Sequence, residues 1–113
     1  MKVFKPNLTS DLIKKEGQKI LSKRKKEVKI LEIGCGNGNI TKHLIENQKK
    51  IKHKFFLSDI SLSAVNAARK NINYKNTFIR KGNLYEPWKN QKFDIIISDA
   101  VSYTHLTLPT KKR

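Results

Sequence analysis

The feature that most constrains this chain is a junction. Residues 28–33, Val-Lys-Ile-Leu-Glu-Ile, run directly into Gly34-Cys35-Gly36-Asn37-Gly38 and then into a segment of helical pattern. A short apolar strand, a loop with glycine at alternate positions and a helix start thus form one unit. Alternate glycines let the backbone turn sharply and approach a ligand closely, because a Cβ would collide there. The helix start offers N–H groups with no partner inside the helix to whatever lies in front of it. Glycine after a strand is often only a turn, so the loop takes its meaning from its surroundings.

Those surroundings alternate between two periods. Residues 10–26 place Leu12, Ile13, Ile20 and Leu21 on one helical face, with Ser10 or Thr9 as N-cap. After the glycine loop, residues 38–49 form a second predicted helix, with Ile40, His43, Leu44 and Asn47 in register. Residues 61–72 form a third, with Leu62, Val65, Ala68 and Ile72 inward and Ser61 capping. Strands are predicted over 28–33, 53–58, 77–81 and 93–98. Strands separated by helices imply βαβ crossovers and a parallel sheet. The nearly continuous apolar runs VKILEI and FDIIIS suit strands covered on both faces. The fold class is therefore α/β, a Rossmann-like parallel sheet with flanking helices. Residues 1–27 supply a lead-in helix and 28–99 the domain.

A chain of 113 residues has room for one small domain. No apolar run approaches the roughly 20 residues that span a bilayer, and the opening MKVFKPNLTSDL lacks a secretory signal. Cys35 is the single cysteine, so no internal disulfide framework exists. A soluble, cytoplasmic protein with no membrane partner is expected. Lys+Arg number 25 against 9 Asp+Glu, a net charge of +16. Such an excess can signal weak non-specific nucleic-acid binding. Here 21 of the 25 are lysine, which favours a compositional bias over a phosphate-reading surface, where arginine's planar fork is the usual choice.

The dinucleotide fingerprint is G-x-G-x-x-G/A. In this chain the third glycine falls one residue early, and Asn39 stands at the fingerprint's last position. The pattern Glu32-x-Gly34-x-Gly36-x-Gly38 instead resembles the first motif of class I S-adenosylmethionine-dependent methyltransferases. That resemblance implies a loop of Gly34, Cys35, Gly36, Asn37 and Gly38 around the methionine half of the cofactor, with Glu32 ordering the loop and the amino-acid end. Asp59 closes the second strand in FFLSDIS. Its carboxylate can accept both ribose hydroxyls of an adenosine, or simply cap the next helix. The stretch beginning Asp59-Ile60-Ser61 resembles the family's second motif. Gly82-Asn83-Leu84 resembles the adenine-contacting segment. Asn83 replaces the usual acidic residue, its carbonyl able to accept from the adenine amine, and Leu84 would lie against the ring. FDIIIS matches the family's fourth strand, so the likeness covers residues 28–99.

Within that family, residues 82–98 are similar to the glutamine methyltransferases of the release-factor type, where a short loop also replaces a helix. This favours a protein glutamine or another nitrogen as methyl acceptor, among protein, RNA and small-molecule acceptors. Asp99 stands where that type carries a catalytic asparagine. An aspartate there could accept from an N–H nucleophile or merely end the strand. Residues 100–110, AVSYTHLTLPT, resemble an in-frame translation of transposase-end and primer sequence from sequencing libraries, and are expected to be foreign to the domain. The resemblance then implies a fold cut after its fourth strand. FDIIIS would lie bare as an apolar edge, and the chain would fold poorly and be inactive.

Two other classes compete with this reading. A nicotinamide-dependent Rossmann oxidoreductase is disfavoured by the glycine spacing and Asn39. A non-catalytic RNA-binding module would use the positive charge. His43 and His53 lack metal-ligand spacing, Cys35 has no adjacent base, and Trp88 is expected to pack a loop.

Overall fold

The two apolar runs lie side by side at the centre of one parallel sheet. The computed structural model describes residues 2–4 and 10–98. Its strands are β1 (Lys2–Phe4), β2 (Lys29–Ile33), β3 (Lys54–Asp59), β4 (Thr77–Lys81) and β5 (Ile95–Ser98). Their order across the sheet is β1-β5-β2-β3-β4, and every pairing is parallel. Three helices connect them: α1 (Ser10–Ser22), α2 (Asn39–Glu46) and α3 (Leu62–Asn71). A single 3-10 turn, Glu86–Trp88, precedes β5. The Rossmann-like α/β expectation holds, and the four expected strands start or end within two residues of their predicted positions. The three-residue β1 is an addition, too short for any periodicity to reveal.

This order corrects the expectation of a bare edge at FDIIIS. β5 is flanked by β1 and β2, with Ile96 opposite both Val3 and Leu31. All four of its residues are buried. The outer strands among the described residues are β1 and β4, and β4 carries Arg80 and Lys81, charges that discourage edge pairing.

Alternation along each strand divides the core in two. Ile30, Phe55, Leu57, Ile95 and Ile97 meet Ile13 and Leu21 of α1, Ile40 and Leu44 of α2, and Ala68 of α3. Leu31, Ile33, Phe56 and Ile96 face the opposite way, toward Trp88 and Phe93. Trp88 packs edge-on to Phe56 at 5.0 Å between ring centroids, and its indole N–H donates to the Leu57 carbonyl at 3.3 Å. The Arg80 guanidinium covers its other side, 4.1 Å from the ring centroid. Trp88 packs a loop, as expected, and so fixes the turn that leads into β5.

Two helix faces differ from their sequence reading. Leu12 is 48% exposed and Leu62 55%. The inward row of α1 is Ile13, Gly17 and Leu21, spaced by four, which puts Leu12 off the face. Leu62 sits in the first turn of α3, at the rim beyond the strand ends, where the sheet offers nothing to cover it. Ser61 caps α3 as predicted, its Oγ accepting from the Ala64 N–H at 3.2 Å. Among the described residues no helix is long and apolar enough to cross a membrane. Residues 99–113, including the AVSYTHLTLPT stretch, lie outside the described residues.

His53 pins the entry of β3 to the entry of β2. Its Nδ1 accepts from the Val28 N–H at 3.1 Å, and Tyr74 donates to its carbonyl at 2.7 Å. Burial pushes the imidazole below its ordinary value of 6.5, with Glu27 opposing and Arg24 reinforcing that shift. Above this ordinary value the ring is neutral in both folded and unfolded chains. As the pH falls below it, the unfolded chain takes up the proton first, so stability declines. The thermal midpoint should therefore drop between about pH 7.5 and 5.5. His53→Asn, which keeps an acceptor near the Nδ1 position, should flatten that slope in a melting series; an unchanged slope would contradict this role.

Candidate functional site

Strand order locates the crevice. From β2 the chain winds outward through β3 and β4, then returns to the other side of β2 to form β5. The carboxyl ends of β2 and β5, where Ile33 pairs with Ser98, therefore bound a switch point, the place where open α/β sheets take ligands. The glycine loop leaves β2 at this point.

Three glycines of the loop lie in the left-handed region: Gly34 at φ 70°, Gly36 at φ 55° and Gly38 at φ 79°. The last two serve different ends. A Cβ on Gly38 would come within 2.8 Å of Ile72 Cδ1 and 3.3 Å of Ala68 Cβ, so this glycine lets α2 close on α3. A Cβ on Gly36 would meet nothing within 4 Å. The bare backbone at Gly36 thus borders open space, as a loop that admits a ligand closely requires.

Asp59, at the end of β3, holds this loop in place. Its Oδ2 accepts from the Gly36 N–H at 2.9 Å and its Oδ1 from the Ser61 N–H at 2.9 Å. A carboxylate offers about four acceptor positions, so each oxygen retains capacity toward the crevice. Capping of α3 falls to Ser61, which removes the alternative in which Asp59 serves only as a helix cap. Ile60 follows, 62% exposed, an apolar side chain at the same rim.

The backbone of the loop is anchored further down. The N–H groups of Gly34 and Cys35 both donate to the Ser58 carbonyl, at 2.8 and 3.1 Å, and Gly38 N–H returns to the Cys35 carbonyl at 2.9 Å. The Cys35 side chain is buried in the core, 4% exposed. Asn37 is exposed, and its Oδ1 accepts from the Asn39 N–H at 3.1 Å. Asn71 on α3 donates to the Asn37 carbonyl at 3.0 Å and to Asn39 Oδ1 at 3.1 Å. Glu32 is fully buried and accepts from Thr41 Oγ1 at 2.7 Å. It therefore ties the last turn of β2 to the first turn of α2 beneath the loop. Gly38 is the N-cap of α2, with no side-chain cap bond.

Leu84 completes the rim. It stands at φ 51°, uncommon for a residue with a Cβ, and is held there by Ser58 Oγ donating to its carbonyl at 2.6 Å. Asn83 beside it is exposed, its carbonyl accepting from the Glu86 N–H. The structure so brings Glu32, the 34–38 loop, Asp59, Ile60, Asn83 and Leu84 to the carboxyl ends of adjacent strands. Asp99 lies outside the described residues. Sequence reasoning overlooked Thr41, Ser58 and Asn71, which position the loop and rim. Ser58 alone left a trace, as a polar residue ending the apolar run Phe-Phe-Leu.

The arrangement offers a carboxylate, the exposed Ile60 and partly buried Leu84 side chains, and a bare backbone edge. Such a set can grip a sugar diol, cover a flat base and let a charged chain pass close to the loop. A family model described as a methyltransferase domain matches residues 24–112. No curated protein sequence matches. Among solved structures, the chain is similar to the CurJ carbon methyltransferase, with a TM-score of 0.66 at 17% identity, over 80% of this chain and 26% of that one. It is similar to the plantazolicin methyltransferase BamL, solved with SAH, with a TM-score of 0.57 at 22% identity over 77% and 32%. It is also similar to a ribosomal protein L11 methylase from Lactobacillus delbrueckii subsp. bulgaricus, with a TM-score of 0.58 at 18% identity over 79% and 45%. The chain spans less than half the length of each, and at these identities the likeness concerns the fold.

The two glycines should respond differently to alanine. Gly36→Ala should cost about 1–2 kcal/mol from its backbone alone. Gly38→Ala should cost a further 1–3 kcal/mol, roughly, because its Cβ also drives into Ile72. Urea denaturation of both variants checks this; equal losses would contradict the packing role of Gly38.

Proposed function

Because the chain belongs to the methyltransferase-domain family, we propose that its crevice binds S-adenosylmethionine and serves methyl transfer. The observation that carries this is the pairing of Asp59 with Gly36 at the switch point. One carboxylate fixes the bare loop edge and still has acceptor capacity for a ribose. When bound, the cofactor supplies a methyl group already activated on a sulfonium sulfur, so the protein's work is alignment and exclusion of water.

The residues divide that work by position. Asp59 accepts the sugar hydroxyls. Ile60 and Leu84 flank the base, and the Asn83 side chain offers its amide carbonyl to an exocyclic amine. The 34–38 loop follows the amino-acid end, with Glu32 and Thr41 fixing the loop's exit into α2. Asp99, next in sequence after Ser98, is the candidate at the reacting centre, accepting a hydrogen bond from the incoming nucleophile. The likeness of residues 82–98 to the release-factor type favours a nitrogen acceptor, with a protein glutamine amide first among them. The similar structures include a carbon methyltransferase and a ribosomal protein L11 methylase.

Calorimetric titration with S-adenosylhomocysteine and with NAD tests the reading. S-adenosylhomocysteine should bind and NAD should not. Asp59→Ala should weaken the first at least tenfold, about 1.4 kcal/mol, less than the loss of two charge-assisted hydrogen bonds would allow. Binding of NAD with comparable affinity, or indifference to Asp59→Ala, would overturn it.

A further inference from the structure

A concave site lies at the end of the strands opposite the glycine loop. The carboxy-terminal ends of α1 and α2 and the residues that follow them border a half-open cavity of about 450 Å³ beside the entry of β3. Leu21, Leu44, Ile51 and His53 give it apolar surface. Arg24 and Lys25 line it from the α1 side, and Lys49 and Lys50 from the α2 side. β3 alone spans six residues, which at about 3.3 Å each puts this cavity roughly 20 Å from the glycine loop.

Cations near helix carboxyl ends are common, because they complement the helix dipole. Three observations go beyond that habit. Among the described residues, those that line the cavity include no carboxylate. Glu27, close enough to act on the charge of His53, is not itself among the lining residues and pairs with Lys54 at 3.7 Å. The cations also belong to two separate runs, Lys23-Arg24-Lys25-Lys26 and Lys49-Lys50-Ile51-Lys52, which meet only through folding.

We propose that this cavity and its cationic walls bind single-stranded nucleic acid, with one unstacked nucleotide inside and flanking diester phosphates on Arg24, Lys25, Lys49 and Lys50. The volume suits a nucleobase with its sugar, held by aliphatic contact with Leu21, Leu44 and Ile51, while Gln18, Ser22, Asn47 and Gln48 offer amide and hydroxyl groups to its polar edge. The walls are helix carboxyl ends, which present carbonyls rather than N–H groups. They lack the amide cradle that terminal polyphosphates take. Exposed cations spread along both sides instead match single charges spaced along a strand. Lysine reads charge without base geometry, so binding is tolerant of sequence. The inference stands independently of the methyl-donor reading.

Fluorescence anisotropy with a labelled decauridylate, across a salt series, tests it on the full chain. The unmodified chain should bind with a steep salt dependence. The combined Arg24→Ala, Lys25→Ala, Lys49→Ala and Lys50→Ala variant should bind at least tenfold more weakly. Its log–log salt slope should fall by about three, at about 0.7 for each phosphate no longer neutralised. A charge-matched control with Lys15, Lys70, Lys81 and Lys89 changed to alanine should lose less than threefold. Ile51→Lys separates a nucleotide pocket from a simple charged surface, because it narrows the cavity while adding a charge; weaker binding is expected. Circular dichroism verifies that each variant folds, and unchanged S-adenosylhomocysteine affinity in the combined variant keeps the two sites distinct. Equal losses in both quadruple variants, tighter binding by Ile51→Lys, or competition by polyglutamate as effective as unlabelled decauridylate would overturn the proposal.

Discussion

A single carboxylate couples the three elements that make the crevice. Asp59 closes β3, fixes the glycine loop through the Gly36 N–H, and fixes the approach to α3 through the Ser61 N–H. The loop would otherwise be a run of residues in left-handed or exposed conformations with little side-chain mass to anchor it. Its backbone bonds to Ser58 and this one side chain convert it into a fixed edge. The loop that Asp59 holds leaves β2 at the switch point between β2 and β5, so one side chain on the neighbouring strand organises that edge.

Support around the crevice comes from polar links, the Glu32–Thr41 bond among them buried, as well as from apolar packing. Glu32 reaches Thr41 under the loop, Ser58 restrains Leu84 at the rim, and Asn71 braces Asn37 and Asn39 from α3. On the far face, Trp88 seals the turn that leads into β5, bonded to Leu57 and covered by Arg80. The aromatic face and the helical face thus hold the strand ends at which the functional groups sit. Glu32 is a buried carboxylate bonded to Thr41, and this link lies directly under the loop.

Much of this was legible in the chain because local and long-range signals agreed. Val28–Ile33 and Phe93–Ser98 are apolar on both faces, and they became the central strands β2 and β5. Glycine spacing marked the loop, and Ser61 announced its cap. What escaped was information that only folding creates. Lys2–Phe4 is too short to carry a period, so its cover over β5 was invisible and an edge was expected there instead. Leu12 and Leu62 fit an apolar stripe but fall off the face or beyond the sheet. Thr41, Ser58 and Asn71 find partners 9 to 34 residues away, which no spacing rule reaches. The basic runs at 23–26 and 49–52 read as composition until the cavity brought them together.

If the methyl donor's nucleoside sits on the loop edge that Asp59 anchors, that edge must feel the ligand first. Amide chemical-shift mapping of the isotopically labelled chain with S-adenosylhomocysteine tests this most directly. The largest shifts should fall on Gly34, Gly36, Ser61 and Leu84, with His53 and its neighbours unmoved. Shifts centred elsewhere, or none at saturating ligand, would contradict it.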